Sequence, residues 1–370
     1  MEVRLTYKYK LYHSKKNKHL HDAIDLAADI WNHCIALHRR YYKLYGKHLS
    51  ANKLKVHITK LKRQPKYAYW NELGSQAIQD VVERIDRSYK AFFDRLKSGH
   101  VGRKSPPHFQ KRCNYASFTL KQAGYRFHDG NHITILGRDY KYAAHRPLDG
   151  AIKTVTVKRN RCGDLYLCVS VLKEIPDVPA RTGNAVGMDF GLKTFLALDT
   201  GDQISSPQFF KTGLKTVQDA HRAVSRCQKG SNNRKRAIQN LDRQYAHIAN
   251  QRRDWFFKLA NMLVDQYAVI CIEDLNLDGM KRLWGRKVSD LAYAEFVSIL
   301  QWTAKKNGTR VLFVPRYYAS SKTCHACGYV NRTLTLNDRS WDCPECGIHH
   351  DRDVNAALNI RNHALSLASA

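Results

Sequence analysis

The sequence predicts a multidomain chain: a β-barrel interrupted by a helical insertion, then an α/β domain carrying a four-cysteine ribbon. Three observations point to it. The strand-like run at residues 2–12 is separated from the next strand-like runs, which begin near 115, by a long stretch of helical spacing. Pro176 and Pro179 divide a β-rich pattern from one in which strands and helices alternate. Four cysteines fall in two C-x2-C pairs, Cys324 with Cys327 and Cys343 with Cys346.

Residues 2–12 (EVRLTYKYKLY) alternate apolar and polar side chains, which predicts a strand. From His19 the period changes, and Leu20, Ile24, Ala27, Ile30, Trp31, Cys34, Leu37 and Tyr41 follow helical spacing up to Gly46. Ser50 is placed to cap a shorter helix, and Ser75 to cap a third that holds Ile78, Val81, Val82, Ile85, Tyr89 and Phe92. Gly99 to Pro107 reads as a linker. Strand-like runs follow at 115–120, 132–136, 151–158 and 164–172, the last two flanking the turn NRCG. Beyond the prolines, strands are expected at 185–190, 193–199, 268–272 and 310–314. Helices are expected over 207–266, 291–306 and 353–366.

Charge narrows the class of function. The 370 residues hold 62 Lys or Arg and 32 Asp or Glu, a formal net charge of +30. Such an excess repels itself in the folded state and suits a polyanionic partner, nucleic acid first. A membrane role is not expected: no apolar run reaches spanning length, and residues 1–20 lack the apolar region of a signal peptide. A cytoplasmic location follows as an expectation. Residues 13–63 and 207–262 each carry twelve Lys or Arg against three Asp. For any single residue a solvated helix face is the plainer reading; two such stretches favour a channel that follows phosphates. Tyr41, Tyr42, Tyr45, Tyr67, Tyr69 and Trp70 interleave with the first of them and could stack on bases or pack ordinarily.

The cysteine pairs form C-x2-C-x15-C-x2-C, with Gly328 and Gly347 directly after each pair. Two such knuckles complete a tetrahedron of thiolates, the shell of a structural Zn²⁺ that keeps no open position. A redox C-x-x-C would need no matched second pair, whereas an iron–sulfur cluster would use the same four thiolates. His349 and His350 lie nearby and are left out of the ligand set. The other six cysteines read as reduced and mostly buried.

Three acidic positions stand out. Asp189 lies inside the apolar run AVGMDFGLK; Glu273 and Asp274 end the apolar run VICI; Asp351 and Asp353 open the last helix in HHDRDVNAALNI. Each alone has an ordinary explanation as a turn residue, a solvated strand end or a helix cap. Strand ends and a helix start can converge in an α/β sheet, and converged carboxylates repel unless divalent cations neutralise them.

With GMDFGLK, IEDLNL, the four-cysteine ribbon, its lead-in YASSKTC and HDRDVNAALNI in that order, the chain resembles the RuvC-like nuclease of the TnpB family, relatives of type V CRISPR effectors. The resemblance implies an RNase H-like (RuvC) nuclease domain at 181–321 and 348–370 and a zinc-ribbon insertion at 322–347. It also implies a wedge barrel at 1–12 and 108–180 and a helical recognition domain at 13–107. It implies Asp189, Glu273 and Asp353 as catalytic ligands of Mg²⁺ or Mn²⁺. Asp351 is the less favoured acid of the triplet, and Cys324, Cys327, Cys343 and Cys346 would be ligands of one Zn²⁺. It implies an RNA-guided DNA endonuclease working as a monomeric ribonucleoprotein. Such an enzyme holds a guide RNA from its own element and pairs it with double-stranded target DNA opened to an RNA–DNA heteroduplex. A non-catalytic nucleic-acid-binding protein and a guide-independent resolvase or transposase are the alternatives.

Overall fold

A computed structural model of the chain describes residues 2–99, 102, 104–191, 194–276, 279, 280, 282, 285, 289–335 and 338–369. Part of the expected 99–107 linker and the ends of the motifs GMDFGLK and IEDLNL therefore lie outside the described residues. Two units divide the chain, Met1–Pro176 and Asp177–Ala370.

In the first unit, β1 (Glu2–Lys10) runs antiparallel to β7 (Leu165–Glu174), in register from Glu2 opposite Glu174 to Lys10 opposite Tyr166. Between them in sequence lie α1 (Asn17–Tyr45), α2 (Ala51–Leu61), a 3-10 helix (Pro65–Leu73) and α3 (Ser75–Lys97). Ser50 caps α2 as expected, accepting from the backbone N–H of Lys53. Ser75 does not cap α3; the chain enters that helix through Gly74 at φ 74°, so Ser75 is already its first residue. β2 (Ser117–Leu120) and β6 (Ala151–Arg159) complete a sheet of order β1-β7-β6-β2. A separate meander follows the order β3-β4-β5, with β3 (Tyr125–His128), β4 (His132–Ile135) and β5 (Arg138–Lys141).

The expected barrel does not close among the described residues. β1 and β2 are the two edges of the four-stranded sheet, and the meander joins it by no ladder, only by the Leu11–Tyr142 bridge with the flanking bonds of Tyr12 to Lys141 and Ala143 to Lys10. Alternation along each strand is local and is the same in an open sheet as in a barrel.

The second unit is an α/β sheet of order β10-β9-β8-β11-β12. β8 (Ala185–Asp189), β9 (Thr194–Leu198) and β10 (Gln203–Ser205) pair antiparallel; β11 (Val269–Glu273) lies parallel to both β8 and β12 (Arg310–Val314). Apolar residues face both ways, as a sheet covered on both sides requires. Val186, Met188, Ile270 and Ile272 pack with Phe256, Leu263 and Phe296 on one face. Val269 and Cys271 pack with Ile360 and Ala364 on the other. The covering helices are α5 (Asn232–Gln266) and α6 (Tyr293–Asn307) on the first face and α7 (Arg352–Ser369) on the second.

The long helical region expected over 207–266 consists of two helices. α4 (Phe209–Arg226) and α5 are separated at 227–231, where Gly230 takes φ 86° and Ser231 caps α5. The buried residues of α5 begin only at Ile248. Between β12 and α7 sits the cysteine ribbon, with the short strands β13 (Ser340–Asp342) and β14 (His349–Asp351). Among the described residues no helix is long and apolar enough to cross a membrane.

Candidate active site

Strand register brings the first two acids together. β8 and β11 are parallel neighbours with Met188 opposite Ile272, and the next residue on each is Asp189 and Glu273. Both acids thus stand at the carboxyl ends of adjacent strands, where open α/β sheets carry their sites. Glu273 is half-buried and lines a pocket of about 200 Å³ with Phe190, Leu275, Tyr293 and Phe313. Its neighbour Asp274 is exposed and pairs with Arg316 at 2.9 Å, so the two acids of IEDLNL are separated in role by their contacts.

The third acid arrives on α7. Asp351 is the helix cap: its Oδ1 accepts the backbone N–H groups of Asp353 and Val354, each at 3.0 Å. Asp353 lies in the first turn of the helix and makes no capping bond among the described residues. The helix is seated on β8 at Gly187, whose absent side chain makes room for the backbone of Ala357. One turn further on, Arg361 pairs at 2.6 Å with Asp199, an almost fully buried acid just beyond β9. Asp199 is a functional-scale feature the sequence reading missed. Its signal was an acid ending the apolar run TFLAL, and the Gly201 turn beside it invited the plainer reading as a turn residue.

The electrostatics of the set are those of crowded carboxylates. Burial, then the like charges of Asp353 and Glu273, push the Asp189 carboxyl up to about 8. Burial, with Asp274 adding, pushes Glu273 up to about 7. Among the described residues no Lys, Arg or His forms an ion pair with any of the three. Arg352 pulls Asp189 the other way. Carboxylate oxygens suit a hard divalent cation, but these three do not all lie within 4.8 Å of one another as the cysteine sulfurs do. The site is supported from behind by Tyr293, whose hydroxyl donates to the Gly191 carbonyl and whose ring packs on Phe190 and Phe195.

The four cysteines are drawn together more tightly. Their sulfurs all lie within 4.8 Å of one another, the one such group found among the described residues. The edges Cys324–Cys346 and Cys327–Cys343 measure 3.7 and 3.5 Å. Bonds of about 2.3 Å in a tetrahedron give edges of ~3.8 Å, so the cluster fits a zinc ribbon. His350 is buried with Nε2 at 3.1 Å from the Cys324 sulfur, touching a thiolate position from outside the cysteine set. His349 is exposed and pairs with Asp342.

The basic stretches resolve into two kinds of cation. Arg234 donates to the Val224 and Cys227 carbonyls and holds the α4–α5 turn, while Arg252 and Arg253 face Glu295. Lys211, Lys215, Lys235, Arg236 and Arg243 are exposed along the helices. Of the aromatics between charges in the first unit, Trp70 is core, whereas Tyr42, Tyr45 and Tyr69 are exposed.

Two family models match the second half of this arrangement. The model described as "Probable transposase" (OrfB_IS605) covers residues 166–283, and the Cas12f1-like TNB domain covers 293–360. A Streptomyces pristinaespiralis protein provisionally named an RNA-guided DNA endonuclease is 29% identical over 97% of this chain and 89% of its own length. A protein of Escherichia coli K12 with the same provisional name, InsQ, is 25% identical over 90% of this chain and 85% of its own. Among solved structures, Cas12f1 in complex with sgRNA and target DNA aligns at a TM-score of 0.58 and 15% identity, covering 98% of this chain and 99% of that one. At that identity the likeness is one of fold. With the motifs in order, both family models matched and relatives aligned along nearly its whole length, the chain is similar to TnpB-family proteins from end to end.

Proposed function

We propose that this chain is an RNA-guided DNA endonuclease of an insertion sequence. It holds a structured guide RNA from its own element and recognises a short motif flanking the target. It opens double-stranded DNA into an RNA–DNA heteroduplex and hydrolyses phosphodiester bonds at one RuvC-like site. The observation that carries the reading is the register that makes Asp189 and Glu273 neighbours at two parallel strand ends, with Asp353 adding its charge from α7. The names of the relatives agree with it, and the sheet order β10-β9-β8-β11-β12 supports an RNase H-like domain.

In this reading residues 1–12 and 108–180 form the wedge and 13–107 the recognition domain. Residues 181–321 and 348–370 form the nuclease domain, and 322–347 its zinc-ribbon insertion. Asp189, Glu273 and Asp353 would hold Mg²⁺ or Mn²⁺, which would supply an activated water and stabilise the leaving oxygen. Phe190 and Tyr293 pack together behind the Asp189 strand end and support it. Cys324, Cys327, Cys343 and Cys346 hold one Zn²⁺ with no position left for substrate, so that metal is structural. The exposed cations of α4 and α5 follow phosphates, and the working unit is one chain with its RNA.

The test is nicking of a matched target by the protein purified with its RNA, with Mg²⁺ present. Asp189→Ala should abolish nicking and leave RNA affinity within about twofold. A wild-type complex that never nicks would leave a protein that binds without cutting. Undiminished nicking after the RNA is digested away would identify a guide-independent nuclease.

A further inference from the structure

Helix α7 carries the proposed third ligand and, in the same two turns, grips the cysteine ribbon. Asn355 and Asn359 are 1% and 4% exposed. The Oδ1 of Asn355 accepts the backbone N–H of His325 at 3.0 Å and lies 3.1 Å from its Nδ1, while its Nδ2 donates to the Thr323 carbonyl at 2.8 Å. One turn later the Nδ2 of Asn359 donates to the carbonyls of Ser320 and Thr323, at 2.8 and 2.6 Å. Both amides are thus spent on the residues flanking Cys324, the first thiolate. Buried amides are costly unless so paired, and an apolar side chain of the same size would pack there without making these bonds.

The rest of the helix start is tied to the same insertion. Arg352 donates from its backbone N–H to the Arg339 carbonyl at 2.9 Å and from Nη1 to the Thr335 carbonyl at 3.0 Å. His350, just before the helix, reaches the Cys324 sulfur. The sheet holds α7 further along, at Gly187 against Ala357 and at Asp199 with Arg361. Asp353 precedes both sheet contacts, in the turn where, among the described residues, Arg352 and Asn355 bond to the ribbon. The ribbon itself has a small core, Cys324, Leu334, Trp341 and Cys343, so its order depends on what its thiolates bind.

We propose that Asn355 and Asn359 are positioning residues that fasten the Cys324–Cys327 knuckle to α7, so that an ordered ribbon sets the place of the Asp353 carboxylate. This rests on the reading of Asp353 as a ligand of the catalytic cation. It makes the ribbon a part that tunes the nuclease through its second layer of contacts, a kind of support whose loss commonly costs about 10- to 100-fold in metal affinity or activity.

The experiment uses the full chain with its RNA and compares wild type, Asn355→Ala, Asn359→Ala and Asp353→Ala. It reads zinc content, Mn²⁺ affinity by electron paramagnetic resonance, nicking rate, and amide hydrogen exchange over 353–356. In Asn355→Ala, zinc should remain at one per chain while Mn²⁺ affinity and nicking each fall about tenfold and exchange over 353–356 quickens. Chelating zinc from wild type should quicken the same amides, which decides the matter if the variants fail to fold. Unchanged exchange and unchanged Mn²⁺ affinity, in the variant or after chelation, would overturn the coupling. If Asp353→Ala still nicks and binds Mn²⁺ as wild type does, the reading of the site fails instead, and the exchange measurement still decides whether the knuckle holds the helix start.

Discussion

Gly187 of β8 and Ala357 of α7 approach so closely that a Cβ added at 187 would stand 1.9 Å from the Ala357 carbonyl oxygen. The obstacle is backbone, so nothing flexible can move aside. Gly187→Ala must lift α7 from the sheet, and Asp353 with it. Overpacking of this kind costs about 1–3 kcal/mol. Displacement of a reacting group by about 1 Å can cost 10²-fold in rate. Thermal melting should show a moderate loss and nicking a much larger one. Nicking at the wild-type rate would mean that α7 finds another seat.

Asp199 and Arg361 form the other link between α7 and the sheet, with the Asp199 side chain 1% exposed. Asp199→Ala leaves the guanidinium, one-third exposed, without its partner and should cost about 2 kcal/mol in chemical denaturation. The double variant Asp199→Ala, Arg361→Met should recover part of that loss, because it removes the uncompensated charge as well. Equal losses in the single and double variants would show that the pair is not coupled.

Removal of one thiolate tests the ribbon. Cys343→Ser should take zinc content from about one per chain to near zero and loosen residues 320–351 to proteolysis, while the four-stranded sheet of the first unit keeps its protection. Retention of zinc by Cys343→Ser would point to a different ligand set, with His350 the first side chain to examine.

A pH dependence is built into the first unit. His38 is 4% exposed and stacked on Tyr89 at 4.5 Å, and burial, with the neighbouring His48, pushes its pKa down to about 4. Below about 6.5 the unfolded chain takes up this proton before the folded one does. Stability should therefore be level above that pH and fall as pH drops toward about 4. Burial also holds His19, His21, His33 and His57 low, so they share the slope. His38→Phe keeps a ring against Tyr89 and should flatten part of it; an unchanged slope in melting temperature against pH would remove His38 from the account.

Much of the fold was legible in the sequence, for identifiable reasons. The periods of α1 and α3 are long and regular, and the buried strands β8 and β11 are unbroken apolar runs, so residue type alone sets their conformation. Closure of strands into a barrel depends on which edges meet, and that information lies in no single strand. β3 and β5 escaped because their residues, such as Arg126, His128, Arg138 and Asp139, leave little alternation to read. At the site, Asp353 was preferred to Asp351 only by resemblance; in the structure Asp351 is the acid that caps the helix. Asn355 and Asn359 carried no signal, because a buried amide on a helix looks like a surface one until its partners are known.

Helix α5 has a mechanical consequence. Its root, from Ile248 to Val264, is fixed among buried side chains, whereas residues 232–247 bury none. At 1.5 Å per residue those sixteen positions form a cantilever about 24 Å long, braced by α4 and bearing Lys235, Arg236 and Arg243. A polyanion pulling on that arm exerts torque at its root, where Phe256 packs on Phe195 of β9, the strand beside Asp189. A load on the arm is therefore felt at that aromatic packing and not along the exposed turns.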